Sequence, residues 1–272
     1  MPHRRISLES LIKSLESGGN IHYYYVDALL LARFAGLLGH DDAMAYETLA
    51  AEIRVAFNRA FYRGNGVYAD GQQTAQACAL YQGLVDSAEK AAVVQRLVES
   101  VEATGVRPEF GFLGIKYVTR ALAENGQTEL AYKLVTQPEY PGLMHWIAQG
   151  ATTLWEDWAG KDSRNHPSFC DLGAWMIHHL AGIAPDPDRP GFRHALIQPY
   201  PVADLDSARA THQTPHGVIR CGWERRDGEV HLEVELPPAV TATLRSPDGT
   251  SMELAPGEHR VSWKNPTPIA QK

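Results

Sequence analysis

Apolar positions in the first two thirds of the chain recur every three or four residues, the period of helices that bury one face. Residues 7–17 place Leu8, Leu11, Ile12 and Leu15 on one stripe, which Gly18-Gly19-Asn20 breaks. Ile21 to Leu38 carries one acid, Asp27, and one base, Arg33, among leucines and aromatics. It predicts a helix buried on most of its surface and stopped by Gly39. Asp41-Asp42 predicts an N-cap for the next helix, whose Met44, Leu49, Ile53, Phe57 and Phe61 keep the helical spacing. Gly64-Asn65-Gly66 and Asp70-Gly71 predict turns around a short extended Val67-Tyr68. Further helices are expected over 73–84, 86–104, 115–124, 127–136, 143–148 and 172–181, the last ended by Gly182. Phe110-Gly-Phe-Leu-Gly114 reads as a glycine-punctuated loop where backbone approaches something closely.

The period then changes. Pro185, Pro187, Pro190 and Gly191 interrupt the chain. Alternating strand patterns follow at His194–Gln198, Asp206–Thr214, Gly217–Arg225, Glu229–Glu235, Thr241–Arg245 and His259–Lys264. Turn signals such as Asp227-Gly228 and Pro247-Asp248-Gly249 separate them, the mark of an antiparallel sandwich. The expected division is a helical part, residues 1–185, and a β part, residues 190–272, with the helices paired into hairpins.

Composition narrows the partners. A net charge of −7 and no basic run argue against nucleic acid and acidic membrane surfaces. No window is apolar enough for a membrane span, and the N-terminus lacks the apolar segment of a secretory signal, which favours the cytoplasm. Cys78, Cys170 and Cys221 are far apart and not in metal-ligand spacing, so each is expected to be a buried thiol. Neither a metal nor a cofactor is expected.

The chemistry gathers in Gly150-Ala-Thr-Thr-Leu-Trp-Glu-Asp-Trp158 and the following Ser163-Arg-Asn-His-Pro-Ser-Phe169. Trp155 and Trp158 flank Glu156 and Asp157, and His166 follows close behind. Indole faces suit the C–H side of a sugar, while carboxylates and imidazole bond hydroxyls and move protons. The same residues also make an ordinary buried aromatic cluster with an acidic rim. Trp146 either lines such a pocket or belongs to the core, and His166 either bonds a sugar or caps the short loop. Asp157 reads as a structural partner, with Arg164 its expected mate. His178 and His179 read as partly solvated surface.

These strings, with Asn165-His166-Pro167 and Leu172-Gly-Ala-Trp-Met-Ile-His-His-Leu-Ala-Gly-Ile183, resemble bacterial α-L-rhamnosidases, glycoside hydrolase family seventy-eight. Tyr23-Tyr24-Tyr25, Gln73-Thr74-Ala75, Gly111-Phe-Leu-Gly114 and Leu122-Ala-Glu-Asn-Gly126 fall in the family's order. So do Pro190-Gly-Phe-Arg-His194, Ser207-Ala208-Arg209, Thr214-Pro215-His216-Gly217 and Trp223. The resemblance implies a multidomain α plus β chain: a partial six-hairpin α/α toroid followed by an antiparallel β-sandwich. It implies inverting hydrolysis of terminal α-L-rhamnosides. Glu156 would be the general base that activates water, and Trp155 and Trp158 would shield it. Substrate would be held by His166, Trp155, Trp158, Trp146 and Asn165.

The family's general acid lies upstream of the tyrosine helix, and nothing before Tyr23 resembles that acidic loop. The expected chain is therefore a C-terminal portion of a longer rhamnosidase or a truncated homologue. Its expected partners are a rhamnose-containing glycoside or oligosaccharide, and a second copy or the missing N-terminal half over its exposed apolar helix faces. Two alternatives stand beside this: a non-catalytic carbohydrate-binding remnant of the same fold, and a toroid glycosidase for another sugar.

Overall fold

The computed structural model describes residues 21–264, so the helical stripe expected at 7–17 and its glycine break lie outside the described residues. Helices come first: α1 (Ile21–Leu38), α2 (Ala43–Phe61), α3 (Gln73–Tyr81), α4 (Lys90–Ala103), α5 (Phe112–Glu124), α6 (Thr128–Thr136) and α7 (Leu143–Ala148). A 3-10 turn, Pro167–Phe169, leads into α8 (Asp171–Trp175), which continues as a π-helix over Met176–Ala181. Strands follow: β1 (Ile183–Pro185), β2 (His194–Ile197), β3 (Ser207–Thr214), β4 (Gly217–Arg226), β5 (Glu229–Leu236), β6 (Thr241–Arg245), β7 (Ser251–Leu254) and β8 (Gly257–Lys264). None of the described helices is long and apolar enough to cross a membrane.

Contacts gather the chain into two compact units. Among the described residues, one holds 21–125 together with 137–145; the other holds 126–136 together with 146–264. In the first unit, α1 and α2 pack through a stripe of small residues, Ala28, Ala32, Ala35 and Ala50, with Tyr25, Ile53 and Phe57. Gly39, at φ +69°, ends α1, and the His40 N–H donates to the Ala35 carbonyl at 2.9 Å. The expectation that α1 is buried on most of its surface does not hold. Leu29, Leu30, Leu31, Phe34, Leu37 and Leu38 are exposed, the last two at 73%. A uniformly apolar helix has no face written into it; the alanines let α2 approach closely, and the leucines point elsewhere.

Two other local expectations change. Asp42 makes no side-chain cap; its carbonyl accepts from the Ala45 and Tyr46 N–H groups instead. The glycines of 111–114 do not make a loop: Gly111 is the N-cap of α5 and Gly114 lies within it. A Cβ on Gly114 would come within 2.2 Å of Phe110 Cβ and 2.8 Å of Thr74 Oγ1, so the missing side chain permits close packing. Of the three tyrosines on α1, Tyr25 enters the core, while Tyr23 accepts a hydrogen bond from the buried Tyr117 hydroxyl at 2.7 Å. Val67-Tyr68 is extended as expected, with Tyr68 bridging to Tyr62.

In the second unit the strands form two four-stranded sheets, ordered β1-β2-β6-β7 and β3-β4-β5-β8. Their inner faces share one core that includes Ile197, Ala242 and Leu244 from one sheet and Ile219, Trp223, Leu232 and Trp263 from the other. That is a sandwich. All pairings are antiparallel except β2 with β6, which run parallel from His194↔Thr241 to Ile197↔Leu244. Gly182, at φ +92°, ends the π-helix hard against Pro199, leaving no room for a Cβ. Strand β4 then docks that helix: Trp223 Nε1 donates to the Leu180 carbonyl at 2.7 Å and Cys221 Sγ to the Ala181 carbonyl at 3.0 Å. Cys78 and Cys221 are buried, and burial pushes both thiols up to about 12. Cys170 is exposed, contrary to expectation, because it sits at the surface between the 3-10 turn and α8.

Candidate functional site

The expected site residues come together in the second unit, on the segment between α7 and α8. Its floor is aromatic. Trp146 is 2% exposed, with its ring centroid 5.6 Å from Trp155, 5.0 Å from Trp158 and 5.1 Å from Phe169. Trp158 and Phe169 meet edge to face at 4.7 Å. Such pairs add stability beyond the area they bury. The Trp146 indole N–H donates to the Trp158 carbonyl at 2.9 Å, so its one polar atom is spent inside the protein. Trp146 is therefore packing beneath the segment, and Trp155, 6% exposed, is nearly as enclosed. Trp158 is half-buried at the edge of the cluster.

Over this floor the chain doubles back. The Glu156 N–H donates to the Ser163 carbonyl at 2.8 Å, and the His166 N–H donates to the Leu154 carbonyl at 2.9 Å. The Ser163 N–H in turn donates to Glu156 Oε2 at 3.3 Å. Glu156 is half-buried and holds its carboxylate at the rim, where it can meet both a backbone donor and solvent.

Asp157 takes a different part. Its Oδ1 accepts from the Ala159 N–H at 2.8 Å, and its Oδ2 accepts from Lys161 at 3.0 Å and Asp162 at 2.8 Å. The backbone N–H groups, that of Asp162 foremost, hold this carboxyl well below the usual carboxylate range. Arg164, the expected partner, lies elsewhere. Its guanidinium sits over the Trp155 ring at 4.7 Å, and its Nε donates to the Gly160 carbonyl at 3.0 Å. Gly160, at φ +64°, presses on the same ring: a Cβ there would stand 2.6 Å from two of its carbons. A cation and a glycine thus face the indole that a sugar was expected to meet.

His166 is the N-cap of the 3-10 turn, its Nδ1 accepting from the Ser168 N–H at 3.1 Å and contacting the Ser168 hydroxyl. An Nδ1 that accepts carries no proton, so the neutral ring bears its hydrogen on Nε2 and offers it on the side away from the cap. Asn165 is exposed, with its N–H donating to Ser163 Oγ at 3.3 Å. His178 and His179 are half-buried on the π-helix.

Two contributors were missing from the sequence reading, the Ser163 amide and the Phe169 ring; the amide belongs to backbone and has no residue signature. The cap that His166 makes to the Ser168 N–H is one of the two roles expected of it, since His-Pro-Ser places a polar residue just before a proline at the first position of a turn.

Comparison with known proteins agrees with this architecture. Residues 20–180 match the model of the bacterial alpha-L-rhamnosidase 6 hairpin glycosidase domain, and residues 182–263 that of the bacterial alpha-L-rhamnosidase C-terminal domain. The chain is 35% identical to an α-L-rhamnosidase of Streptomyces avermitilis over 236 residues, covering 83% of this chain and 23% of that one. It is 34% identical to an α-L-rhamnosidase of Formosa agariphila over 258 residues, covering 89% and 28%. A crystal structure of the Streptomyces avermitilis enzyme complexed with L-rhamnose superposes with a TM-score of 0.84 at 32% identity, over 90% of this chain and 26% of that one. The chain thus spans about a quarter of the length of these relatives. A six-hairpin glycosidase domain followed by the C-terminal domain, in that order and matched along nearly the whole described chain, places this protein in the bacterial α-L-rhamnosidase family.

Proposed function

We propose that this chain carries the base-bearing part of an inverting glycoside hydrolase acting on terminal α-L-rhamnosides, with Glu156 as general base. The observation that supports this most is the setting of Glu156. A carboxylate stands half-buried at the rim of a closed indole floor, and the Ser163 N–H to Oε2 fixes its direction. One oxygen is held by the protein, which leaves the other to take a proton from water.

Inversion needs that water on the face of the sugar opposite the leaving group, and a gap between carboxyls of roughly 6.5–9.5 Å to admit it. Glu156 takes the proton as the water oxygen bonds to the anomeric carbon, while the glycosidic C–O bond breaks and its electron pair leaves with the aglycone. A poor leaving group also needs a proton from a general acid; a phenolate of low basicity does not. His166 Nε2–H would donate to a sugar hydroxyl, and the Trp158 edge and Asn165 would complete the contact. Trp146 and Trp155 act beneath, keeping the floor dry.

The test is hydrolysis of p-nitrophenyl α-L-rhamnopyranoside by the chain and by Glu156→Gln, with the released sugar followed by proton NMR. The expected result is p-nitrophenol release that the substitution abolishes, with β-L-rhamnose appearing first. An α-anomer appearing first would overturn inversion. Equal rates in both proteins would remove Glu156 from the reaction. Calorimetric binding of L-rhamnose with no hydrolysis in either would favour a carbohydrate-binding remnant.

A further inference from the structure

We infer that Asp157 is a positioning residue for Glu156, acting by folding the return loop so that the Ser163 amide lands on the Glu156 carboxylate. This rests on the reading of Glu156 as the general base. Two carboxylates adjacent in sequence do opposite things here. Asp157 turns toward the chain that follows it and gathers the N–H groups of Ala159, Lys161 and Asp162 onto its two oxygens, while its carbonyl accepts from Gly160 at 3.2 Å. Residues 159–162 are thereby wound around one side chain.

The residue that leaves this winding is Ser163, and it meets Glu156 twice, through its carbonyl at 2.8 Å and its N–H at 3.3 Å. The other side of the loop is pinned by Arg164, which bonds the Gly160 carbonyl and covers Trp155. The neighbours of Glu156 on both sides thus clamp the returning strand, and the carboxylate between them inherits its place. A carboxylate suits position 157 because three N–H groups converge there, and an ionised side chain only accepts. A carboxamide would offer one accepting oxygen and turn an NH2 toward donors.

The experiment is NMR on the chain itself, comparing it with Asp157→Asn. Amide hydrogen exchange at Ser163 is expected to quicken about five- to tenfold, together with that of Ala159, Lys161 and Asp162, the loss of one ordinary hydrogen bond each. Exchange at Val230 and Val234 in the sandwich is expected to stay the same. The side-chain carboxyl carbon resonance of Glu156, assigned by its absence in Glu156→Gln, is expected to move. Loss of the adjacent charge can move that resonance by itself. The proposal therefore requires Ser163 exchange to quicken together with it, and a moved resonance with unchanged Ser163 exchange would count against it. Unchanged Ser163 exchange with an unmoved Glu156 resonance would overturn the proposal.

Hydrolysis separates this failure from failure of the base assignment. If Asp157→Asn cuts kcat ten- to hundredfold with KM unchanged, as a misplaced base requires, both stand. If Ser163 and Glu156 respond but Glu156→Gln hydrolyses as well as the parent, Asp157 still positions Glu156 and the base lies elsewhere. If Glu156→Gln abolishes hydrolysis while Asp157→Asn leaves Ser163, the resonance and kcat untouched, the proposal alone falls. Should Asp157→Asn lose the near-ultraviolet dichroism of the tryptophans, Asp157→Glu, which keeps the charge but displaces it by one methylene, takes its place in the same comparison.

Discussion

His166 has two ring nitrogens with separable duties, and two substitutions divide them. Nδ1 caps the 3-10 turn by accepting from the Ser168 N–H, and Nε2 faces the other way. His166→Asn puts an amide oxygen near the Nδ1 position, so it is expected to keep the cap and lose the outer donor. His166→Gln puts an amide nitrogen near Nε2, so it is expected to keep the donor and lose the cap. In urea unfolding, Asn should stay close to the parent while Gln loses about 1 kcal/mol, the usual worth of an N-cap. In L-rhamnose calorimetry the order should reverse, with Asn weakened about tenfold. A pair of variants that move together in both measurements would mean the ring acts only as a cap. Part of this candidate site was legible because its proposed groups are side chains: Glu156, the indoles and His166 announce themselves by type and spacing. What was not legible is held by backbone. The Ser163 N–H, and the N–H groups that fix Asp157, carry no letter in the sequence, so Asp157 was assigned to the obvious cation Arg164 when its partners were peptide groups. Trp146 shows the reverse limit, since an indole reads alike whether it faces a sugar or the core.

The helices from α2 onward were readable because each carries an apolar stripe at the helical period, and that stripe is what it buries. Ile53, Phe57, Val93, Leu97 and Val101 do so. Helix α1 failed as a face because its leucines run all round, and α5 failed at its start because packing glycines look like breakers. Strands β1 and β7 are too short to show alternation, and the parallel β2–β6 pair joins residues some 47 apart, beyond any local pattern. The turn after β1 carries an electrostatic device of its own. Asp186 is 6% exposed; its Oδ2 accepts from Arg189 Nε at 2.8 Å, its Oδ1 accepts from the Asp188 N–H at 3.0 Å, and the buried His194 ring lies 3.9 Å away. The Arg189 bond first, then the Asp188 amide, hold this carboxyl below its ordinary value of 3.8. A depressed value in the fold means that the unfolded chain binds the proton more readily. The stabilisation is thus complete above the ordinary value and disappears as pH falls through the lower folded one. Asp186→Asn is expected to have a lower urea midpoint than the parent at about pH 7. The two should converge as pH falls below the ordinary value of 3.8 and through the lower folded one, where the parent takes up its proton and resembles the amide. A gap that stays constant with pH would mean that Asp186 acts by shape alone.

Over the whole molecule, two divisions of the chain coexist. Periodicity changes at the prolines near 185–190, the proposed domain boundary, and the family models meet between residues 180 and 182. Compactness instead groups α6 and everything from Trp146 with the sandwich. The bonds that do so are specific. The Ala203 N–H donates to a carboxylate oxygen of Glu129 on α6 at 3.0 Å, and the Tyr200 N–H donates to the His179 carbonyl at 3.1 Å. Trp223 and Cys221, at the centre of β4, spend their donors on the last carbonyls of the π-helix, and Ile177 packs against the sandwich core. Removing residues 126–181 therefore uncovers Trp223 and Cys221, which are 1% and 2% exposed in the fold, and turns part of a core into surface. Burying a side chain of indole size is worth about 2–3 kcal/mol, and the bonds to the helix end add about 1 kcal/mol each. A fragment of residues 126–272 is expected to unfold in urea as one cooperative transition. A fragment of residues 182–272 should be less stable by on the order of 3–5 kcal/mol and should bind a hydrophobic dye. Equal urea midpoints for the two would show that the sandwich stands without its helical footing. In that case the break in sequence period near 185–190 would be the physical boundary as well. A lower midpoint for the shorter piece would mean that the π-helix belongs to the sandwich energetically while belonging to the hairpins by sequence. The segment bearing Glu156, which leads into that helix, would then be anchored from the β side of the chain.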